Sequence, residues 1–348
     1  MARLSLNAVS KSFGDKTVVD NLSLTIEPGQ FVALLGPSGC GKSTILRMLA
    51  GFETVSAGDI QHGDQCLSSA KFHLPTEERN FGMVFQSYAL WPHMTVMENV
   101  GYPLKIQKVD RQNYQRRVQD ALDIVQLNDF KDRLPSQLSG GQRQRVALAR
   151  SLVTEPDVIL FDEPLANLDR HLRESMEITF REFHRRTGAT MVYVTHDQAE
   201  AMALADQIAV LKDGQLMQWS TPEDLYAQPN NEWVANFIGQ GSILRCQSVL
   251  GNQLLTSADV IGLLYDQTGH HGRMLVRPQH VDLSATSNML QGTVRECIFR
   301  GERYDIFLEL ENGDTLHAYH TEPLTIGSAR QLSIQQAWTL EPSHDHDH

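Results

Sequence analysis

Long apolar runs are missing from this chain. No stretch approaches the ~18 to 20 residues that a membrane-crossing helix needs, which excludes a helical span. The opening residues, MARLSLNAVSKSFG, contain no apolar core, so no secretory leader is expected. Cysteine is scarce: Cys40, Cys66, Cys246 and Cys297 are the only four in 348 residues, and no two are spaced CxxC. That argues against a cysteine zinc site and for free thiols in a reducing cytosol. A basic excess is also missing. Lys and Arg number 30 against 42 Asp and Glu, a net charge of -12. Binding a phosphate backbone needs a basic stripe, so no nucleic-acid partner is expected. What remains is 41% hydrophobic and 21% charged residues, an ordinary globular composition with material for a core. The length suggests about two domains.

Charge and pattern both change near residue 239. Residues 1–239 hold eight lysines and fifteen arginines against 29 acids, net -6; residues 240–348 hold no lysine and seven arginines against 13 acids, also net -6. Before the break, apolar runs alternate with helical stretches: FVALLG (31–36), VILFDEP (158–164) and MVYVTH (191–196). Fully apolar strands between helices predict a parallel sheet covered on both faces. Residues 88–150 lack strand runs and read as a helical insertion. After the break the pattern becomes strand–turn–strand. In YDIFLELENGDTLHAYH, Tyr304, Ile306, Leu308 and Leu310 share a face, and Asn312-Gly313 predicts a type I′ hairpin turn with both central residues at positive φ. We therefore expect domain 1–239, a linker within 229–241, and a small all-β domain over 240–348. The HDHDH end reads as a disordered terminus, or as a weak metal site.

GPSGCGKST (36–44) fits the pattern GxxxxGK[ST]. The glycines Gly36, Gly39 and Gly41 let backbone N–H groups of Ser38, Cys40 and Thr44 reach phosphate oxygens, with Pro37 in the same loop. Lys42 places a point charge on the β and γ phosphates, and the Ser43 hydroxyl suits Mg²⁺. A helix starting here aims its positive end at the anion. A plain glycine-rich turn is the alternative. VILFDE (158–163) is the companion: Asp162, at a strand end, can hold Mg²⁺, and Glu163 can orient an attacking water. Cys40 lies inside the cradle, where the helix N-terminus would lower its pKa; its thiol need not take part in catalysis.

LSGGQ (138–142) precedes an amphipathic helical stretch. Ser139, Gly140, Gly141 and Gln142 thus stand at a second helix N-terminus. One chain with one cradle needs no second γ-phosphate site, so a two-fold dimer is expected in which each LSGGQ covers the partner's ATP.

With Phe13 in KSFG, the cradle, Gln86 in VFQSY, LSGGQ, VILFDE, ANLD (166–169) and His196 in VTHD, all in this order over about 185 residues, the chain resembles the ATP-binding subunits of ABC transporters. The resemblance implies a P-loop NTPase fold with a helical subdomain, and ATP and Mg²⁺ as substrate and cofactor. Phe13 would stack on adenine. Gln86 would sense the γ-phosphate and Mg²⁺. Glu163 would be the base, with His196 bonding the γ-phosphate and the water. Ser139, Gly140, Gly141, Gln142 and Asp169 would act across a homodimer. Ala166 departs from relatives that carry Ser there.

QSYALWPHMTVMENVGYPL (86–104) is rich in apolar residues. It either packs into its own helical insertion or forms a partner groove. The family implies the second, with a helix of an integral-membrane permease as guest. LVRPQHVDLS (275–284) resembles the β-barrel appendix, OB-like or TOBE, of import-type members, with Gln279 where Glu is frequent. The implied location is the cytoplasmic face of the inner membrane, in a complex fed by a periplasmic or surface solute-binding protein. Ser242 in FIGQGSIL and the short appendix are most similar to the ferric-iron group. Polyamine, oxyanion, phosphonate and sugar uptake stay open, as does a non-transport regulatory ABC protein.

Overall fold

A computed structural model describes residues 2–166, 168–247, 251–265, 272–284 and 290–340. They divide into two compact units, Met1–Pro222 and Glu223–His348.

In the first unit the three apolar runs form the strands Phe31–Leu35, Val158–Asp162 and Thr190–Thr195. They sit side by side in a six-stranded sheet, with Phe81–Val84 at one edge and the hairpin Gln207–Lys212/Gln215–Ser220 at the other. All neighbours are parallel except within that hairpin. Alternate residues serve opposite faces, as the two-residue period of a strand requires. Phe31, Ile159, Phe161, Met191 and Tyr193 enter one apolar cluster. Val32, Leu34, Val158, Leu160, Val192 and Val194 enter another. Helix α1 (Lys42–Ala50) supplies Ile45, Leu46, Met48 and Leu49 to the second cluster. An antiparallel sheet ordered Lys16–Ile26, Leu4–Phe13, Ala57–His62, Gln65–Ser69, Phe72–His73 packs its Leu4, Leu6, Leu22 and Ile60 there as well.

Residues 88–150 contain helices α2 (Val96–Ile106), α3 (Arg111–Ile124) and α4 (Gly140–Leu152) and no strand. Local chemistry starts each one. Thr95 and Glu98 form a reciprocal capping box for α2, and the Asp110 carboxylate accepts from the N–H groups of Gln112 and Asn113 to start α3. Val100, Leu104, Val118, Leu122, Val146 and Ala149 join the first cluster with Met176, Phe180 and Phe183 of α5 (Arg170–Thr187). Helix α6 is Gln198–Leu204. Among the described residues no helix is long and apolar enough to cross a membrane.

The second unit is a nearly closed β structure of two sheets around one apolar cluster that includes Leu244, Met274, Val294, Ile306, Leu308, Leu316 and Leu332. Ile306, Leu308 and Leu310 are buried on one face, as the alternation predicts. The hairpin differs from expectation. Gly313 has φ 81°, whereas Asn312 is outside the left-handed region. Its loop is three residues long: Gly313 N–H donates to Leu310 O, and Leu310 N–H to Asp314 O. A type I turn closed by a left-handed glycine needs only one positive φ. Asn312 serves it by accepting the Asp314 N–H at 3.0 Å. The unit also contains a helix, Ser257–Tyr265, whose start is set by Asp259 accepting from the Thr256 N–H and hydroxyl. Its Val260 is buried in the cluster, with Leu263 and Leu264 packed against it.

Segment 229–241, expected as a linker, packs within this second unit. It forms the helix Glu232–Phe237, and its Ala235 lies against Leu275 and Leu340. The buried Arg277 guanidinium donates to the carbonyls of Tyr226, Ile238 and Gln240. The HDHDH end and Asn167 of ANLD lie outside the described residues.

Candidate functional site

Parallel sheets place ligands beyond the carboxyl ends of their strands, and here three neighbouring strands end at one level. Leu35 pairs with Thr195 and Asp162 with Val194. The residues that follow are the cradle from Gly36, then Glu163, then His196.

In the cradle, Pro37, Ser38, Gly39 and Ser43 are exposed, while Cys40, Gly41 and Lys42 are buried. Glycine is required at two positions by the protein's own backbone. A Cβ on Gly36 would stand 2.3 Å from Leu211 O, and one on Gly41, at φ 103°, would stand 2.7 Å from Val18 O. The loop is thus pressed onto its neighbours from behind, leaving its front open. Lys42, 5% exposed, donates from Nζ to Gly36 O at 2.7 Å and Pro37 O at 2.9 Å. Its ammonium pins the loop whose anion it would share. Cys40 contradicts the expected low pKa. Burial pushes the thiol up, and the nearby Lys42 ammonium offsets only part of this.

Ser43 Oγ donates to Asp162 Oδ1 at 3.4 Å. Asp162 has no ion-pair partner among the described residues. Burial raises its carboxyl above the ordinary range, the Ser43 bond opposes this, and neighbouring Glu163 adds to it. A hydroxyl and a carboxylate without an ion-pair partner fit Mg²⁺, which binds one or two carboxylates and keeps several waters.

Glu163 and His196 are brought together, with Nδ1 to Oε2 at 3.3 Å and side chains 57% and 26% exposed for His196 and Glu163 respectively. Glu163 sits at φ 44°, a left-handed conformation uncommon for a non-glycine residue. Its N–H donates to Val194 O at 3.1 Å, which fixes this geometry from the neighbouring strand. Strain of this kind persists where the surroundings over-determine it, and it clusters at functional sites.

The remaining candidates make local contacts. Phe13 ends its strand 48% exposed, with Lys11 Nζ 4.8 Å from its ring centroid. Gln86 is exposed just beyond the strand Phe81–Val84. Ser139 and Gln142 form a capping box on α4: the Gln142 N–H donates to Ser139 Oγ and the Ser139 N–H to Gln142 Oε1. Because Ser139 Oγ accepts, its hydroxyl hydrogen is free to point outward. A Cβ on Gly141 would stand 2.9 Å from Leu172 Cδ1, so this glycine serves close packing of α4 on α5. Asp169 caps α5 through the Leu172 N–H at 3.0 Å. The apolar segment divides: Tyr88 and Val96 are core, Leu90 packs on it, and Met97 is exposed.

Sequence reasoning missed a polar network behind His196. Arg173 of α5 donates to Asp197 Oδ2 at 2.8 Å and to Leu168 O at 3.4 Å, and lies 3.4 Å from Glu200 Oε1. Buried Glu200 accepts from the hydroxyls of Tyr193 and Thr195. Burial raises its carboxyl. An acid at the fourth residue after His196, on an otherwise alanine-rich α6, was the available signal.

Comparison with known proteins agrees with this fold. The ABC transporter family matches residues 19–166, and the TOBE domain family matches 274–340. The chain is 43% identical to the spermidine/putrescine import ATP-binding protein PotA of Marinobacter nauticus, over 89% of this chain and 85% of the relative. It is also 43% identical to the Fe(3+) ions import ATP-binding protein FbpC of Escherichia coli O157:H7, over 90% and 89%. Among solved structures, the dimeric post-hydrolysis form of the ATP-binding cassette MJ0796 bound to ADP and Pi is 31% identical, with TM-score 0.54, covering 63% of this chain and 98% of that one.

Proposed function

The chain belongs to the ATP-hydrolysing, import-type ABC transporter proteins, and from that premise we propose that Glu163 and His196 form its hydrolytic pair. The observation that carries this reading is their 3.3 Å contact at the ends of adjacent strands, with Glu163 held at positive φ. Glu163 orients the attacking water and takes its proton; His196 bonds Glu163 in the free protein and hydrogen-bonds the γ-phosphate and the water once they are bound. The exposed front of the cradle, with Lys42 and the α1 N-terminus, holds the phosphates. Ser43 and Asp162 hold Mg²⁺, with Gln86 beside them. When bound, Mg²⁺ neutralises charge on the β and γ phosphates. Phe13 offers adenine a half-exposed ring.

Two copies complete the site, each presenting its Ser139 hydroxyl, its Gly140–Gln142 turn and Asp169 to the partner's nucleotide. The exposed Ser139 at the start of α4 and the dimeric ADP-bound relative support this. Met97 and its neighbours Trp91 and Met94 are the surface offered to a membrane permease. The protein works at the cytoplasmic face of the membrane through that partner, supplied by a solute-binding protein. As substrate we propose ferric iron, supported by the resemblance of Ser242 in FIGQGSIL and of the short appendix to the ferric-iron group, and by the FbpC relative. The PotA relative has equal identity, so the test sets the two against each other. Reconstituted with its permease, ATP hydrolysis should rise with iron-loaded binding protein and not with a polyamine-loaded one. The reverse result would replace iron by polyamine.

A further inference from the structure

The segment after Gln86 has an unusual backbone. Tyr88 and Ala89 are consecutive non-glycine residues in the left-handed region, at φ 62° and 48°. Such residues normally occur singly, because Cβ crowds the following carbonyl. The Tyr88 hydroxyl is also buried without a hydrogen-bond partner. Both features make this conformation costly, so something outside the segment must impose it.

Arg150, in the last turn of α4, is the group that does so. Its Nη1 donates to Ala89 O at 2.6 Å and its Nη2 to Tyr88 O at 2.8 Å. The two nitrogens of one planar fork thus grip the two carbonyls of the left-handed pair. The same guanidinium lies 4.9 Å from the Trp91 ring centroid. Burial lowers its pKa, which matches a cation held by carbonyls without a carboxylate. Downstream the chain is clamped from the other side. Asn99 of α2, fully buried, donates to the carbonyls of Trp91, Met94 and Thr95 and accepts the Trp91 N–H. The loop from Tyr88 to Thr95 is therefore strung between α4 and α2. Helix α4 is the one whose N-terminus carries Ser139–Gln142.

We propose that Arg150 is a positioning residue for hydrolysis. It holds Tyr88 and Ala89 left-handed and so sets where Gln86 stands, linking the Ser139 end of α4 to the phosphate sensor through one rigid helix. This rests on the role given above to Gln86. A lysine in its place keeps the charge but offers a point charge where two diverging N–H bonds are needed. Ala89 is exposed, so Ala89→Gly removes almost nothing except the Cβ that makes a left-handed φ costly.

The test uses the full chain with Arg150→Lys, Ala89→Gly and the double variant. Amide hydrogen exchange is followed in the nucleotide-free protein, and ATPase kinetics in parallel. Arg150→Lys should speed exchange of amides 86–94 about tenfold while α4 amides keep their protection. It should lower kcat at least about tenfold with KM for ATP within about twofold, the signature of a misplaced group. Ala89→Gly alone should match the wild type. Added to Arg150→Lys it should recover about fivefold in both readouts, because it relieves the left-handed cost. Unchanged exchange and kcat in Arg150→Lys would overturn the proposal. So would exchange that rises equally throughout α4, or a double variant with no recovery; these make Arg150 a packing residue of α4. Gln86→Ala is the separate control: if it hydrolyses ATP normally, the role of Gln86 fails, while the exchange data still decide whether Arg150 holds the loop.

Discussion

The carboxylates of the candidate site and those inside the second unit are treated in opposite ways. In the first, Asp162 has a serine hydroxyl for company and Glu163 a histidine that is neutral unless protonated. In the second, Asp305, 1% exposed, is gripped by Arg300 at 3.0 Å and Arg303 at 3.3 Å, and Asp314 is paired with Arg245 at 2.7 Å. A buried carboxylate with cations around it is satisfied within the chain. One without them is waiting for a cation or a proton from elsewhere. Charge left uncompensated marks the chemistry, and charge compensated marks the scaffold. The lysine-free composition of residues 240–348 fits the second case, since arginine's planar fork is the better partner for a fixed carboxylate.

The sharpest way to break this contrast is Glu163→Gln. ATPase activity should fall about 10²- to 10⁴-fold, and ATP should hold the variant as a dimer on size-exclusion chromatography. Activity within tenfold of wild type would remove Glu163 from the reaction. Asp162→Asn comes next. Because its carboxyl titrates above the ordinary range, the Mg²⁺-binding anion is lost earlier as pH falls. The Mg²⁺ concentration for half-maximal ATPase should therefore climb as pH is lowered, and the asparagine variant should need more Mg²⁺ with a flatter pH response. A wild-type Mg²⁺ requirement independent of pH would contradict the assignment.

Asp305→Asn tests the scaffold side. Burial opposes ionisation of Asp305, but the Arg300 and Arg303 bonds outweigh it and hold the carboxyl below the usual range. A depressed folded pKa gives stability that is present above the unfolded value and lost as pH falls through the folded one. Urea titration at neutral pH should show a loss of about 1–3 kcal/mol for the second unit. The gap from wild type should close in acid while ATPase stays intact; a gap that persists in acid would mean the loss is one of shape. The smallest effect belongs to Cys40→Ser, with ATPase within about twofold, since backbone does the binding there. With its thiol pushed up by burial, alkylation of Cys40 should be slow at neutral pH, accelerate as pH rises, and be slowed by ATP. Inactivation of the serine variant at the wild-type rate would place the sensitive thiol elsewhere.

Much of the site was legible because its parts lie in contiguous motifs. The cradle, LSGGQ and VILFDE name their residues in order, and apolar runs such as VILF mark buried strands. What stayed hidden depends on distant partners. Nothing local distinguishes Arg150 or Arg173 from other arginines; each matters through carbonyls or carboxylates brought to it by folding. The left-handed φ of Glu163 comes from a bond to Val194 on another strand. The Asn-Gly dipeptide was read correctly as a turn, but loop length, set by pairing of Glu309 with Thr315, decided its type. The helix Ser257–Tyr265 escaped because a nine-residue apolar segment reads equally well as strand or helix.

The level at which the three central strands end has a practical meaning. Glu163 and His196 are spaced by the rungs that pair Val158 with Thr190 and Ile159 with Met191, none of which nears the nucleotide. A one-residue slip in that ladder would turn every side chain to the opposite face and carry Glu163 away from His196. The interior of the sheet is thus a ruler for the reaction. A methylene lost at Ile159 or Val192 should register in turnover as well as in melting temperature, so a slow variant of this protein need not carry its change anywhere near ATP.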